Sequence, residues 1–589
     1  MLKERPLSSG RRWFDWRLAV LGCSLIAQMG TARAADTCVQ DAAGLRLPPG
    51  FCATIFADGI GHARHLTVSP KGVVYVNTWS GKYYGDDVPH AGGFLVALQD
   101  TTGAGKASVT ERFGETPEGG GHGGTGVALF GGYLYAETYG RIVRYAFNGS
   151  PIVPTGSVES VISAIPMDGG HPMRPFIIDS HGVMYLDVPA PRNSCQKNDR
   201  QPNSPGVDPC PDLATRAGVW RYDARNTGQV FSGANRYATG IRNAEGYGLD
   251  ESSGRLFVTQ HGRDQLHSNW PDVIRDPDKE AVLPSEELLL LKKGGDYGWP
   301  TCYYDPFLGK LVLAPEYGGD GTQQGRCAAK IGPVTAFPAH WAPNDMVFYD
   351  RPQFPKHYRK GVFIAFHGSW DRAPYAQGGY NVVFQPLDGA KAAGSCEIFA
   401  SGFADANASP ATAKHRPTGL AFGPDGALYV ADDIGGRIYR ITYNEGANRN
   451  GQVVPCPSNT APAGPPVVVV PDASDVHANT HPAVLPPGVT ADTVVLGDRI
   501  YHGEFGAPCM GCHGTNGTGS PLAPNLASGT WMWSDGSVAG IGATITRGVE
   551  QPKKFPNPMP AMGGARLTPE QVNAVAAYVW TLSHGGEKH

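Results

Sequence analysis

Residues 415–433 read "HRPTGLAFGPDGALYVADD", two short apolar segments separated by a turn that contains Gly and Asp. Alternating apolar residues on both sides of such a turn predict a β-hairpin. Similar phrases, the last of them degraded, occur at residues 63–78, 122–138, 171–188, 241–262 and 340–368. Six hairpin units, spaced by more than about 40 residues, predict an all-β six-bladed propeller. We place it at residues 36–445.

A polar residue, mostly Arg or His, opens each repeat. In a propeller the first strand of each blade lines the central channel, so the residue before that strand lies at one mouth of the channel. The residues in this position are Arg64, His122, His171, Arg242 with Asn243, His340 and Arg416. Any one of them could be a solvated loop residue. Their recurrence at one repeat position predicts a shared funnel that binds an anionic group.

The segment "APCMGCHG" at residues 507–514 lacks the hairpin pattern of the repeats. Cys509 and Cys512 followed by His513 form the pattern by which a protein attaches haem covalently. Zinc is the competing use of two such cysteines, but no second close pair of ligands follows. Residues 489–589, which surround this motif, are predicted to be helical. In the last helix, Thr568 is predicted to be the N-terminal cap and Pro569 the first helical residue.

Composition limits the partners. The chain has 589 residues and a formal net charge of −4, so neither a nucleic acid nor an anionic membrane surface is indicated. Gly (79) and Pro (50) are abundant, as expected for many short strands and turns. Residues 446–488 are proline-rich and predict an extended linker between the propeller and the helical part.

Residues 1–34 have the features of an export signal, with basic residues, an apolar stretch and Ala32-Arg33-Ala34 as a cleavage site. We therefore expect a periplasmic protein. Arg11-Arg12 leaves a twin-arginine route open beside the general route, and a lipid anchor at Cys23 is a weaker alternative. No later apolar stretch is long enough to cross a bilayer, so no transmembrane anchor is expected.

The cysteine count supports export. Of eleven cysteines, Cys23 lies in the signal and two belong to the haem motif, which leaves eight. An even number in an exported protein predicts disulfides. Pairing neighbours in order gives 38–52, 195–210, 302–327 and 396–456 as the simplest arrangement.

Residues 489–589 resemble a class I cytochrome c, a small all-α domain. The resemblance implies haem c on Cys509 and Cys512, with His513 on the iron. It also implies that the carbonyl of Pro524, in "APNL", accepts a hydrogen bond from the ring of that histidine. "PNPMPAMGG" offers Met559 and Met562 as the second iron ligand. Met559 is favoured because the family's ligand usually precedes Pro. A thioether ligand raises the potential of the iron and suits it to accept single electrons.

The repeats "HPMRPFIIDSHGVMYLDV", "GGDYGWPTCYY" and "RPTGLAFGPDGALYVADD" resemble the soluble-glucose-dehydrogenase and sorbosone (pyranose) dehydrogenase family, over most of residues 45–445. "GRDQL" and "HGSWDR" place the chain nearer the sorbosone and pyranose branch. The resemblance implies a six-bladed quinoprotein that binds pyrroloquinoline quinone (PQQ) with calcium. It further implies oxidation of a sugar, polyol or sugar aldehyde.

Residue roles follow from the same resemblance. His171 matches the catalytic base, a task that suits imidazole. His122 is its rival, one blade earlier. Arg242 and Asn243 match the pair that contacts the quinone oxygens, where Arg242 would also stabilise charge during hydride transfer. A nicotinamide or flavin site is not indicated, because no Gly-x-Gly-x-x-Gly opens a helix after a strand.

Further contacts concern the acidic groups of the cofactor and its metal. Arg416 matches a clamp on a PQQ carboxylate, and Arg372 is a second candidate. Arg64 and His340 line the same funnel. Calcium in this family is held partly by backbone carbonyls, here those of Gly262 and Arg263. The glucose enzymes have Pro at the position of Arg263, so the resemblance supports this ligand less strongly than Gly262.

Taken together, these features predict an exported quinohaemoprotein. Two electrons removed from the substrate would pass singly through the tethered haem to a downstream cytochrome or quinone pool. Two alternatives stay open. One is a calcium-dependent propeller hydrolase, similar to a lactonase, with an incidental cytochrome. The other is a non-catalytic redox module that only docks a partner.

Overall fold

A computed structural model describes residues 43–79, 91–114, 124–369, 371–372, 375, 377–404, 413–448, 450–458, 484–502, 509–513, 517–519, 523–549, 552–555, 559–565 and 567–584. The expected signal peptide, Cys38 and the rival base His122 lie outside these residues.

Six antiparallel sheets follow one another along the chain. The first strand, β1 (Phe51–Ala57), precedes the first blade, which consists of β2 (His62–Val68), β3 (Val74–Trp79), β4 (Leu95–Gln99) and β5 (Val109–Phe113). The second blade consists of β6 (Val127–Phe130), β7 (Tyr133–Thr138), β8 (Arg141–Ala146) and β9 (Val158–Ser163). The third consists of β10 (Phe176–Ile178), β11 (Val183–Val188), β12 (Gly218–Asp223) and β14 (Arg236–Thr239), while β13 (Gln229–Val230) extends the second blade beside β9.

The fourth and fifth blades carry the insertions. The fourth consists of β15 (Tyr247–Asp250), β16 (Arg255–Gln260), β17 (Glu286–Leu290) and β20 (Thr335–Phe337), and β18 (Cys302–Asp305) and β19 (Lys310–Leu313) form a separate hairpin. The fifth consists of β21 (Pro343–Phe348), β22 (Gly361–Phe366), β23 (Asn381–Asp388) and β25 (Glu397–Ala400). At its edge lie β24 (Lys391–Ala392) and β29 (Val454–Pro455). The start of the expected linker is therefore paired with the propeller.

The sixth blade closes the ring. It consists of β26 (Pro417–Phe422), β27 (Leu428–Asp432) and β28 (Arg437–Tyr443), and β1 completes it as the outer strand, with Phe51 opposite Tyr443. The first strands of the blades, β2, β6, β10, β15, β21 and β26, contact one another in a closed ring. Each of the six sequence repeats forms the first hairpin of one blade, so the predicted six-bladed propeller is confirmed.

Aromatic residues fill the space between the last two blades. Phe51 packs edge-on against Phe354 and Phe399, with ring centroids 4.8 Å apart in both pairs. Edge-to-face pairs of this kind contribute beyond the apolar area that they bury. Because Phe51 lies on β1, this packing anchors the strand that closes the propeller.

Three of the predicted disulfides are confirmed: Cys195–Cys210, Cys302–Cys327 and Cys396–Cys456. The last attaches the segment after β28 to the fifth blade. The pair 38–52 stays a prediction, because Cys38 lies outside the described residues.

The helices lie mainly in the C-terminal part, as predicted. The propeller contributes α1 (Leu266–Asn269), and the C-terminal part contains α2 (Ala491–Tyr501), α3 (Cys509–His513), α4 (Val538–Arg547) and α5 (Pro569–His584). Short 3₁₀ turns are Pro211–Ala214, Gly233–Asn235, Pro277–Val282, Pro315–Tyr317, Gly325–Ala329, Lys356–Arg359 and Ala561–Gly564. Among the described residues, no helix has the length and apolarity to cross a membrane.

Helices α2 and α5 pack closely. A Cβ at Gly497 would lie 1.9 Å from the carbonyl oxygen of Ala574, so only glycine allows this approach. The hydroxyl of Thr568 accepts a hydrogen bond of 3.3 Å from the backbone N–H of Gln571, which caps α5 where the sequence predicted its start.

Candidate active site and haem site

His171 precedes β10, the first strand of the third blade. Its Nδ1 lies 2.6 Å from the carbonyl oxygen of Ala190. A carbonyl only accepts hydrogen bonds, so Nδ1 carries the proton and Nε2 keeps its lone pair. Burial, and then the charge of Arg242, lower the pKa of His171 well below its ordinary value. The ring is therefore a neutral base at pH 7.

Arg242 lies buried beside this histidine. Its Nη1 donates to the carbonyl oxygen of Gly262 at 2.9 Å, and its Nη2 donates to Asn193 Oδ1 at 3.0 Å and to Asp264 Oδ2 at 3.1 Å. Its own carbonyl oxygen accepts from the N–H of Ala190 at 2.7 Å. These bonds hold the guanidinium in place, and Asp264 is the carboxylate that pairs with its charge.

A second guanidinium converges on the same carboxylate. Arg200 Nη2 donates to Asp264 Oδ2 at 2.8 Å, and its Nη1 donates to Gln265 Oε1 at 2.9 Å. Burial alone would raise the pKa of Asp264, but Arg242 and Arg200 hold it well below its ordinary value. A second carboxylate, Asp199, lies 4.0 Å from Arg200 Nε, so two arginines and two carboxylates lie together near His171.

Arg64 occupies a deeper position in the channel. Its Nη1 and Nη2 donate to Asp433 Oδ2 and Glu245 Oε2, both at 2.8 Å. Two buried carboxylates balance its charge, and the contact between Arg64 and an anionic cofactor stays a prediction. Asn243 joins this group, because its Nδ2 donates to Glu245 Oε1 at 3.3 Å.

Arg416 and Arg372 both donate to backbone carbonyl oxygens. Arg416 donates to the carbonyl oxygens of His367 and Gly368 at 3.0 and 3.1 Å. Arg372 Nη1 donates to the carbonyl oxygens of Ala281 and Ala339, both at 3.0 Å. The charge of Arg416 also helps to lower the pKa of the buried Asp433.

One unpartnered polar atom lies beside the Arg64 group. Within the described residues, the buried Oδ1 of Asn243 lacks a hydrogen-bond partner, although Nδ2 of the same amide donates to Glu245. Buried polar atoms are normally paired, so this oxygen is compatible with a polar ligand that donates a hydrogen bond.

The expected calcium ligands fit less well. The carbonyl oxygen of Gly262 already accepts from Arg242, as described above, and its N–H donates to Glu286 Oε2 at 2.9 Å. The buried side chain of Arg263 is paired with Glu316. A cation at the Gly262 carbonyl would lie beside the positive charge of Arg242.

The haem motif has the geometry that the sequence predicted. Cys509 and Cys512 lie in α3 as thiols outside the disulfides, as thioether attachment to haem requires. His513 Nδ1 lies 3.0 Å from the carbonyl oxygen of Pro524, so Nε2 is left for the iron. Met559 and Met562 both pack against the core of this part, and the structure does not choose between them as the second ligand.

The haem motif lies near the arginine pair. The guanidinium of Arg200 and the thiol of Cys512 are close enough to shift each other's pKa. Burial raises the pKa of Cys512, and the charge of Arg200 opposes that shift. Arg200 therefore bonds to Asp264 and also acts electrostatically on the haem attachment segment.

Comparison with known families gives two matches. Residues 45–444 match the family described as TrAA12-like, and residues 495–583 match the family described as cytochrome c. The chain belongs to the TrAA12-like family. The predicted resemblance, a sugar-dehydrogenase-type propeller with a C-terminal cytochrome c domain, is confirmed. The cytochrome c match bears out the predicted haem c domain.

Solved structures share the fold of this TrAA12-like chain. An iodide structure of a Trichoderma reesei carbohydrate-active enzyme of family AA12 is 19% identical with a TM-score of 0.54, covering 68% of this chain and 98% of that one. The holo form of the PQQ domain of pyranose dehydrogenase from Coprinopsis cinerea is 18% identical with a TM-score of 0.54, covering 68% and 97%.

Curated relatives of the TrAA12-like protein match only in part. An uncharacterized protein of Borreliella burgdorferi is 27% identical over 209 residues, which is 35% of this chain and 48% of that protein. The cbb3-type cytochrome c oxidase subunit FixP of Rhizobium etli is 36% identical over 83 residues, 14% of this chain and 28% of the subunit. The chain thus spans half or less of the length of these relatives.

Three site residues were not anticipated from the sequence: Asp264, Arg200 and Asn193. Asp264 stands inside the motif "GRDQL", which served only to choose a family branch. Arg200 and Asn193 lie in the loop closed by Cys195–Cys210 or just before it. The position of this loop depends on contacts with residues about 70 positions away.

Proposed function

We propose that this protein is an exported quinohaemoprotein that oxidises a sugar, polyol or sugar aldehyde and passes the electrons to its haem c. The observation that carries the proposal is the neutral His171, with Nε2 available, beside the Arg242–Arg200 pair. The titles of the similar structures, a carbohydrate-active enzyme and a PQQ domain of pyranose dehydrogenase, agree with it. The three disulfides support an oxidising compartment such as the periplasm.

Each residue of the funnel would have a separate role in the reaction. Nε2 of His171 would accept the proton of the substrate hydroxyl as the C–H bond breaks and a C=O bond forms. PQQ, when bound, supplies the acceptor for the hydride. The N–H groups of Arg242, held by Asn193 and Asp264, would face the developing negative charge. Arg416 and Arg372 would hold the acidic groups that position the cofactor.

The cytochrome part would take the electrons away. Cys509 and Cys512 would hold the haem, and His513 and Met559 would ligate its iron, which takes up one electron at a time. Attachment to the same chain raises the effective concentration of the acceptor, typically into the millimolar range. Arg200 bonds to Asp264 and acts electrostatically on Cys512, which supports a short route from the funnel to the haem.

The proposal is tested by loading the full-length protein with PQQ and a divalent cation and adding sugars, sugar alcohols and aldehydes. We expect the absorption bands of ferrous haem to develop with at least one substrate class. A propeller hydrolase would instead turn over a lactone without PQQ and leave the haem oxidised. A docking module would leave the haem oxidised with every substrate, and a His171→Ala variant would behave as wild type.

A further inference from the structure

We propose that Arg174 is a positioning residue for His171. Its guanidinium fixes the backbone of the segment at residues 166–173, and this holds the imidazole at a constant place in the funnel. Arg174 follows the histidine by three positions and is fully buried. The proposal deepens the proposed function, on which it rests for the role of His171 as a base. The contact itself can be measured without quinone or substrate.

The segment that carries His171 has few hydrogen-bond donors of its own. It joins β9 to β10 and forms neither a helix nor a strand. Residues 166–175 include Pro166, Pro172 and Pro175, and proline has no backbone N–H. Buried carbonyl oxygens are normally paired, so those of this segment need donors from a side chain.

Arg174 supplies these donors. Its Nε and Nη2 donate to the carbonyl oxygen of Pro166 at 3.0 and 2.6 Å. Its Nη1 donates to the carbonyl oxygens of His171 at 2.5 Å and Met173 at 2.7 Å. One guanidinium thus binds the segment before the histidine, at the histidine and after it. Hydrogen bonds from an ionised donor are stronger than those between neutral groups, so the segment is held firmly.

The imidazole ring has a second, independent anchor. Nδ1 of His171 donates to the carbonyl oxygen of Ala190 at 2.6 Å, and the N–H of Gly170 donates to the carbonyl oxygen of Pro191 at 3.0 Å. These bonds orient the ring, whereas Arg174 fixes the backbone from which the ring extends. Nε2 therefore has a defined position only when both anchors are present.

Arg174 is itself tied to the second blade. Its backbone N–H donates to Glu137 Oε1 at 2.7 Å. Glu137 Oε2 accepts from the backbone N–H groups of Thr125 at 2.7 Å and Gly126 at 3.1 Å. Burial lowers the pKa of Arg174, whereas the charges of Glu137 and Asp187 oppose that shift. The side chain is therefore a cation at pH 7 that is anchored to a neighbouring blade.

Arginine suits this role and lysine does not. The guanidinium is a rigid fork that donates in several directions, whereas the lysine ammonium is a compact charge at the end of a flexible chain. Arg174→Lys keeps the positive charge near Glu137 and Asp187. It cannot donate to Pro166 and His171 in the same geometry. The variant therefore separates the positioning of the histidine from the balance of buried charge.

The first test follows the Nδ1 proton of His171 by ¹H nuclear magnetic resonance in the full-length protein with ferrous haem and without quinone. We expect a downfield resonance, identified by its loss in His171→Ala, that is also lost in Arg174→Lys through faster exchange with water. The matched control Arg144→Lys should keep it, since Arg144 is also buried and donates to a backbone carbonyl oxygen, that of Arg225 at 2.9 Å. An unchanged resonance in Arg174→Lys, or equal loss in both lysine variants, would overturn the proposal.

The second test compares the rates of quinone-loaded protein. Arg174→Lys should lower kcat by about 10²-fold, the effect of a misplacement of about 1 Å, with little change in KM. A loosened imidazole is better hydrated, so the decline of kcat/KM at acid pH should also move to higher pH. A kcat and a pH profile equal to those of Arg144→Lys would contradict the positioning role.

Hydrogen exchange of the wild type tests the proposal even if Arg174→Lys does not fold. With rising denaturant, the Nε proton of Arg174 and the Nδ1 proton of His171 should exchange through one common opening. Separate openings would contradict the proposal. A protein in which these protons behave as expected but whose haem no sugar reduces would keep the role of Arg174 and reject the proposed function.

Discussion

His171 and Arg242 are joined through one residue, Ala190. The carbonyl of Ala190 accepts from His171 Nδ1 at 2.6 Å, and its N–H donates to the carbonyl oxygen of Arg242 at 2.7 Å. The proposed base and the proposed electrostatic group are therefore positioned by the backbone of the loop that follows β11. Loss of the His171 side chain breaks one of these bonds, whereas the Ala190–Arg242 bond joins backbone groups and survives side-chain substitution.

The first prediction concerns the base. His171→Ala should lower kcat for substrate-driven haem reduction by about 10²–10⁴-fold, the usual contribution of a general base. The matched control is His181→Ala, because His181 is exposed in the turn between β10 and β11. Steady-state rates of quinone-loaded protein measure the effect. Equal losses in both variants would contradict the assignment.

The second prediction concerns pH. Because burial and Arg242 lower the pKa of His171 well below 6.5, the imidazole of the folded protein stays neutral at pH 6. The substrate-driven rate should therefore hold between pH 8 and pH 6 and decline only at lower pH. The pH profile of kcat/KM measures this. A decline centred at or above pH 6.5 would show that the base has an ordinary or raised pKa.

The third prediction concerns electron transfer. Arg200→Gln removes the cation that bonds to Asp264 and acts on Cys512, and it should slow haem reduction more than it slows reduction of a soluble dye at the quinone. Stopped-flow absorbance of both acceptors gives the ratio. Arg225→Gln, which removes an exposed arginine paired with Asp223, is the control. An unchanged ratio in Arg200→Gln would exclude this role.

The fourth prediction concerns stability. Asp433 is fully buried and accepts from Arg64 and His367, both at 2.8 Å. Asp433→Asn removes one of the two carboxylates that pair with the buried Arg64, together with the charged acceptor of His367, and should lower the free energy of unfolding of the propeller by about 3–5 kcal/mol. Denaturant unfolding measures this, with Asp350→Asn on the surface as the control. A decrease in the free energy of unfolding of less than about 1 kcal/mol would mean that the bonds of Asp433 to Arg64 and His367 do not stabilise the propeller.

The same carboxylate predicts acid sensitivity. Burial would raise the pKa of Asp433, but His367, Arg64 and Arg416 hold it far below its ordinary value. Its stabilising effect is thus fully present above the unfolded-state pKa, near 4, and is lost as pH falls below that value. The stability difference between wild type and Asp433→Asn should shrink between pH 5 and pH 3.

The fifth prediction concerns the iron. Met559→Ala should remove the thioether ligand and lower the reduction potential of the haem, whereas Met562→Ala should change it little. Spectroelectrochemical titration measures both. Met562 is the natural control because it packs in the same core. The opposite result would assign Met562 to the iron.

Local patterns made the architecture predictable. Each repeat is a hairpin whose strands and turn are neighbours in sequence, and the haem motif is a run of five residues, Cys509–His513. Pairing neighbouring cysteines in their order along the chain also predicted the three disulfides that the structure describes. These features depend on short-range spacing, which a sequence displays directly.

The partners within the site were less predictable. Arg64 was expected at the funnel surface, yet it bridges Glu245 and Asp433, 181 and 369 residues away. Arg200 reaches Asp264 from a disulfide-closed loop. Such pairs depend on how loops from different blades fold over one another, and no local pattern encodes them.

The central claim is that oxidation at His171 delivers electrons to the haem on Cys509 and Cys512. The most direct measurement is a single-turnover stopped-flow experiment in which PQQ-loaded protein with ferric haem meets a sugar. The account predicts ferrous haem at a first-order rate independent of protein concentration, and none with His171→Ala or without PQQ. If no sugar, polyol or aldehyde reduces a haem that a chemical reductant reduces fully, the account is contradicted.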